Sequence, residues 1–122
     1  MNTLVDFRFS KGILYKAVEG IITKDLIFQS WNKVFDTIDT SHEIRGVIID
    51  CSKGHFDIPV SMFTEVITFY KNLFDMHCNS RVAVITNNPG DAVLSILLES
   101  AVTYSNTKTF STIEAAELWL IK

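Results

Sequence analysis

The chain is predicted to fold as an α/β domain with a mixed five-stranded sheet and four helices, in the order ββαβαβαβα. Three observations predict it. Two β-rich runs, residues 4–9 and 13–18, are separated only by a short turn at Lys11-Gly12, so they must pair antiparallel. Gly46-Val-Ile-Ile-Asp50 is apolar on both sides, as expected of an interior strand in a parallel sheet covered by helices. Elsewhere, apolar residues recur at helical spacing between the strands.

Residues 4–9 place Val5, Phe7 and Phe9 on one face and Asp6 and Arg8 on the other, the two-residue period of a half-buried strand. Glu19-Gly20 breaks the second run after Val18. Thr23 is positioned to cap a helix from Lys24, where Ile27, Trp31, Val34, Phe35 and Ile38 share one face. Thr40-Ser-His-Glu43 reads as a loop. After strand 46–50 comes the polar stretch Cys51-Ser-Lys-Gly-His-Phe-Asp57, then a helix over 58–76 with Pro59 in its first turn. Phe63, Val66, Ile67, Tyr70 and Phe74 form its core face. Met62, Phe69, Leu73 and Met76 form a second apolar stripe, and contiguous apolar surface marks contacts when it is exposed.

Residues 81–86 read as a further strand and Asn87-Asn-Pro-Gly90 as a turn. Asp91 can cap a helix carrying Ala92, Val93, Ile96, Leu97 and Ala101. Residues 107–110 make a short last strand. Ser111-Thr-Ile-Glu114 has capping-box spacing and opens a final helix packed through Ala115, Ala116, Leu118, Trp119 and Leu120.

At 122 residues the chain is expected to be a single domain, 1–122, with one core. Apolar residues make up 48% of it and charged residues 20%, a globular composition. Fourteen acids against eleven bases give a net charge of -3 without a basic run, which argues against nucleic acid as a partner. No apolar stretch approaches the roughly 20 residues of a membrane span, and the first residues are charged where a signal peptide would be apolar. The expectation is a cytoplasmic protein in which Cys51 and Cys78 stay thiols.

Nearly the whole chain resembles one family. Gly20-Ile-Ile-Thr23 before the first helix, Gly46-Val-Ile-Ile-Asp50, Arg81-Val-Ala-Val-Ile-Thr86 and the ending Phe110-Ser-Thr-Ile-Glu-Ala-Ala-Glu-Leu-Trp-Leu120 together resemble the STAS domain of bacterial anti-sigma-factor antagonists. The ending looks especially like the SpoIIAA-like group, labelled STAS/SEC14. Regulatory members carry Asp-Ser-Ser-Gly or Asp-Ser-Thr-Gly at the start of the helix after the central strand, and a kinase phosphorylates that serine. Here the matching stretch is Phe56-Asp57-Ile58-Pro59, which keeps the acid and lacks the hydroxyl. Ser52 and Ser61 are the nearby hydroxyls, read as ordinary turn residues.

The loops hold little chemistry. Cys51 and His55 are the residue types of a nucleophile and base, but Cys51 continues an apolar strand and reads as a buried thiol. Asp50 at its strand end is expected to accept loop N–H bonds. His42, His55 and His77 are scattered, and no metal or other cofactor is expected. No phosphate loop is present, and Asp57 and Asp91 would repel phosphate from the helix starts.

The expected function is therefore a non-enzymatic STAS-like regulatory or interaction module acting by contact, with a protein partner or as a homodimer. The expected surface comprises Asp50, Ser52, His55, Asp57, Ser61, Met62, Phe69 and Leu73. The alternative, implied by the SEC14 link, is a carrier of a small apolar molecule or lipid in a pocket lined by Trp31, Phe63, Phe69 and Phe74.

Overall fold

A computed structural model describes residues 4–37, 44–77, 81–87 and 107–121, with the side chains of Leu4 and of residues 73–77 outside that description. Among the described residues there are six strands: β1 Leu4–Ser10, β2 Ile13–Ile22, β3 Gly46–Asp50, β4 Gly54–Phe56, β5 Arg81–Ile85 and β6 Thr107–Phe110. Three α-helices accompany them: α1 Lys24–Thr37, α2 Phe63–His77 and α3 Ile113–Leu120. The helix expected over Ala92–Ala101, together with Cys78, His42 and Asp91, lies outside the described residues.

The sheet runs β1-β2-β3-β5-β6, with β4 joined to β2. β1 and β2 are antiparallel, and every other pairing is parallel. The β1–β2 hairpin closes through Lys11 and Gly12, both at positive φ (54° and 83°), the geometry of a two-residue turn that follows the strand twist. β3 is an interior strand between β2 and β5, as its two-sided apolar run requires.

Alternation along β3 divides the core in two. Val47, Ile49 and Cys51 face the layer made by α1 and α2, where they pack with Leu14, Val18, Val82, Val84, Ile27, Trp31, Val34, Val66 and Tyr70. Ile48 faces the other side with Ala83, Ile85 and Ala116, covered by Ile113, Trp119 and Leu120 of α3. Fully burying one such aliphatic side chain stabilises the fold by about 1.5–3 kcal/mol.

Thr23 caps α1 as expected, its Oγ1 accepting from Leu26 N at 3.2 Å. Several expectations need correction. Glu19-Gly20 does not end the second strand: Gly20 adopts φ 96° and β2 continues to Ile22. The helix expected from residue 58 begins as a 3-10 turn, Val60–Met62, after Pro59. The last helix is capped by Thr112, whose Oγ1 accepts from Ala115 N, so the third helical position holds Ala115 rather than the Glu114 of a capping box, and Leu118 is 60% exposed rather than packed.

β4 was expected as loop. Its residues instead pair Gly20–Ile22 of β2, while β3 pairs Ile13–Ala17, so one broken strand follows β2 with a one-residue slip between its halves. Gly54 faces Gly20 across this pairing, and a Cβ there would lie 2.7 Å from Ile22 Cδ1 and 2.9 Å from the Val18 carbonyl oxygen. Because the second contact is backbone, Gly54→Ala is expected to lower stability by roughly 1–3 kcal/mol, read as a reduced denaturant midpoint. An unchanged midpoint would show that β4 is loosely held.

Candidate functional site

The break between β3 and β4 lies at the carboxyl end of the parallel strands, where α/β sheets present their ligand and partner surfaces. Asp50 closes it. Its Oδ1 accepts from Ser52 N at 3.0 Å and from Ser52 Oγ at 2.6 Å, the hydrogen-bonded turn expected of an acid at a strand end. Gly54 N donates to Cys51 O at 3.0 Å, and Lys53 O accepts from Gly20 N at 3.1 Å. The turn is thus tied at both sides, and Ser52 is held within it.

The side chains of this stretch diverge. Cys51 is buried in the α1–α2 core, whereas His55 and Asp57 are exposed, so the thiol and the imidazole belong to different environments. Asp57 N donates to Ile22 O at 2.8 Å, which fixes the backbone where β4 ends. Ile58 then turns inward against the core, Pro59 caps the 3-10 turn, and Ser61 is exposed within it. Val60 is 78% exposed. Among the described residues no group of three His, Cys, Asp or Glu side chains is placed to hold a metal ion.

Beside this rim lies an outward groove of about 660 Å³ between α1 and the start of α2. Phe28 and Phe69 floor it with rings stacked at 4.4 Å, and Ser61 and Met62 form one side. Lys24 Nζ pairs with Glu65 at 2.8 Å along its border, and this bond holds the Lys24 ammonium above its ordinary pKa. Phe69 is therefore half-buried and anchored on Phe28 rather than standing clear on a second stripe. The side chain of Leu73 lies outside the described residues. Of the residues expected to line an internal pocket, Phe69 lines this outer groove. Trp31 is buried, with the Lys16 ammonium 4.1 Å from its ring centroid, Phe35 stacked at 5.9 Å and Tyr70 edge-on at 6.1 Å.

Sequence reasoning missed the most unusual group in this half of the molecule. Lys16, on β2, is 2% exposed and points into the α1–α2 core. Its Nζ donates to Ser30 Oγ at 2.6 Å, and Ser30 Oγ in turn donates to Ile27 O at 3.2 Å. Trp31 Nε1 donates to Tyr70 Oη at 3.2 Å. Loss of hydration pulls the Lys16 pKa down to about 7, with Cys51 opposing weakly, and burial raises the Tyr70 phenol well above its usual value. One signal in the sequence points to it: Lys16 falls in the inward register of Leu14 and Val18.

No family model and no curated protein matches the chain. Among the solved structures similar to it, two are similar over almost its full length. One is an uncharacterised DUF3478-family protein with a SpoIIAA-like fold from Shewanella loihica PV-4, at 17% identity and a TM-score of 0.62, covering 97% of this chain and 93% of that one. The other is an anti-sigma factor antagonist from Mycobacterium paratuberculosis, at 14% identity and a TM-score of 0.65, covering 99% of this chain and 96% of that one. The chain has the SpoIIAA-like fold, which is what its resemblance to STAS domains implied.

Lys16 gives stability a distinctive pH dependence. Below about pH 7 it is charged in the folded and unfolded chains alike, and its burial penalty is fully present. Between about 7 and 10.5 the folded chain has shed a proton that the unfolded chain keeps, so stability rises with pH. Above pH 10 the Tyr70 phenol acts oppositely, because the unfolded chain ionises first. Chemical denaturation from pH 6.5 to 9.5 is expected to show a rise on the order of a few kcal/mol. Lys16→Met should be more stable at the acidic end by roughly 1–3 kcal/mol and flat across the range. An equal slope in both proteins would remove Lys16 as its source.

Proposed function

We propose that this chain with a SpoIIAA-like fold is a non-enzymatic regulatory module of STAS type that works by protein contact, in the simplest case with a second copy of itself. The observation that carries the reading is Val60, 78% exposed at the entrance to the α2 turn and next to the groove over Phe28, Met62 and Phe69. An apolar residue so placed gains from being covered, by about 1.5–3 kcal/mol if fully buried. The anti-sigma factor antagonist among the structural neighbours supports a regulatory role, and a module of this kind needs no catalytic group.

In this reading the rim supplies the polar margin, with Ser52, His55, Asp57 and Ser61 around the apolar centre formed by Val60, Met62 and the Phe28–Phe69 pair. Asp50 acts by holding the turn. Phosphorylation is not needed for the contact: Ile58-Pro59 stands where regulatory STAS domains carry the serine, Ile58 packs inward, and Ser52 Oγ is engaged by Asp50. A reading as carrier of an apolar small molecule would use the same groove, since Phe28, Met62 and Phe69 line it.

Val60→Asp tests the contact, because this exposed position tolerates a charge in the folded monomer whereas Phe69→Asp would break the Phe28 stack. Light scattering is expected to give a dimer for the native chain and a monomer for Val60→Asp, with unchanged circular dichroism. A native chain of monomer mass would overturn self-association, and apolar ligand released on native mass spectrometry would favour the carrier.

A further inference from the structure

The opposite pole of the sheet, around the β1–β2 turn and the start of β3, carries a second concavity that the rim does not use. It encloses about 710 Å³, within the range of about 300–1,000 Å³ typical of small-molecule sites. Arg8 reaches it from β1, Lys11 from the hairpin turn and Arg45 from the residue before β3. Glu117 of α3 is the acid on its wall, and it accepts from Tyr15 Oη at 3.3 Å. Among the described residues no carboxylate forms an ion pair with Arg8, Lys11 or Arg45. Three cations against one engaged carboxylate make this a positive concavity in a chain whose net charge is -3.

The cations are held in place by the local fold. Arg45 N donates to Gly12 O at 2.7 Å, and the Arg45 stem lies over Gly12, where a Cβ would sit 2.6 Å from its Cδ. Gly12, at φ 83°, is thus required by the turn and by the arginine lying on it. The Arg8 guanidinium carbon lies over the Tyr15 ring, 4.0 Å from its centroid, a cation–π contact that restrains the side chain. Two guanidinium groups and an ammonium on one concavity supply the kind of donors a phosphate dianion takes. Ser10 adds one hydroxyl, and Ile13, Leu120 and Ile121, the last 79% exposed, form an apolar side.

We propose that this concavity binds a phosphomonoester with a compact apolar or aromatic body, the phosphate held by Arg8, Lys11 and Arg45 and the body lying on Ile13, Leu120 and Ile121. The site is separate from the rim and independent of its role.

Isothermal titration of the full chain with phenyl phosphate, inorganic phosphate and phenol tests it. The expected result is saturable one-to-one binding of phenyl phosphate, about tenfold or more tighter than either fragment. Arg8→Gln and Arg45→Gln should each weaken it about tenfold or more, the scale of one charge-assisted hydrogen bond. Ile121→Ser should bring phenyl phosphate down to the affinity of inorganic phosphate. The exposed cation Lys108, on β6, supplies the control, and Lys108→Gln should leave binding unchanged. All four positions are exposed, so circular dichroism should confirm native folds. Absence of saturable phenyl phosphate binding, or equal weakening by Lys108→Gln and Arg45→Gln, would overturn the assignment.

Discussion

Ten residues of β2 organise this molecule, because that strand pairs on one side with β1 and on the other with a strand broken into β3 and β4. The break follows from steric room. Gly20 and Gly54 meet across the pairing, and a side chain at Gly54 would press on the Val18 carbonyl. With two glycines there, the backbones approach closely enough for the chain to rejoin β2 after the Asp50–Ser52 turn. Without them, residues 51–57 would lift from the sheet and carry the rim with them. The position of Val60 and Ser61, and of the first turn of α2, therefore depends on contacts made three to seven residues earlier in the chain.

The same strand carries the main internal tension. A lysine in the register of Leu14 and Val18 removes an ammonium from water, and the core answers with one serine hydroxyl and one indole face. These groups favour the charge without replacing its hydration, so the amine loses its proton near neutrality. Cys51 is buried in the same core, and Tyr70, which accepts from Trp31, is held as the neutral phenol by its own burial. Ser30 keeps its second bond to Ile27 O, so the hydroxyl remains satisfied in either state of the amine. An apolar residue would pack this position with less penalty. The polar cluster ties β2, α1 and α2 together through directional bonds at the layer that supports the groove.

The legible parts of the sequence were those where period and burial agree. Val5, Phe7 and Phe9 alternate and pack inward, and Ile27, Trp31 and Val34 share a helical face and are buried together. Val47-Ile48-Ile49, apolar on both sides, is an interior strand with a core on each face. The failures have separate causes. Gly20 was read as a breaker, but a glycine at positive φ inside a strand can redirect pairing without ending it. Gly54-His-Phe56 has no alternation to recognise, since its pairing is supplied by β2. Ser111 and Thr112 are both good caps, and which one serves is set by where α3 meets the sheet. Leu118 shares the composition of its helix but not the buried face. For the candidate site, the turn at Asp50 was readable from residue types. The stacking of Phe69 on Phe28 was not, because it joins two helices far apart in the chain.

The two concavities differ in the kind of occupant their physics favours. The groove near the rim is floored by stacked aromatic rings, and the Lys24–Glu65 pair at its edge neutralises its nearest charges. It rewards burial of apolar surface and gives little long-range attraction, the profile of a surface that recognises shape. The pole around the hairpin turn has unneutralised cations in a chain that is otherwise acidic, so it draws anions from a distance and holds them by geometry. β2 runs from one to the other, its first residues in the basic concavity and its last three paired with β4 beneath the rim. Lys16 sits between them, bonded to α1. Any shift of β2 forced at the hairpin must move Lys16 against Ser30 and Trp31 before it reaches Gly20, and those are the contacts that seat α1 beside the groove.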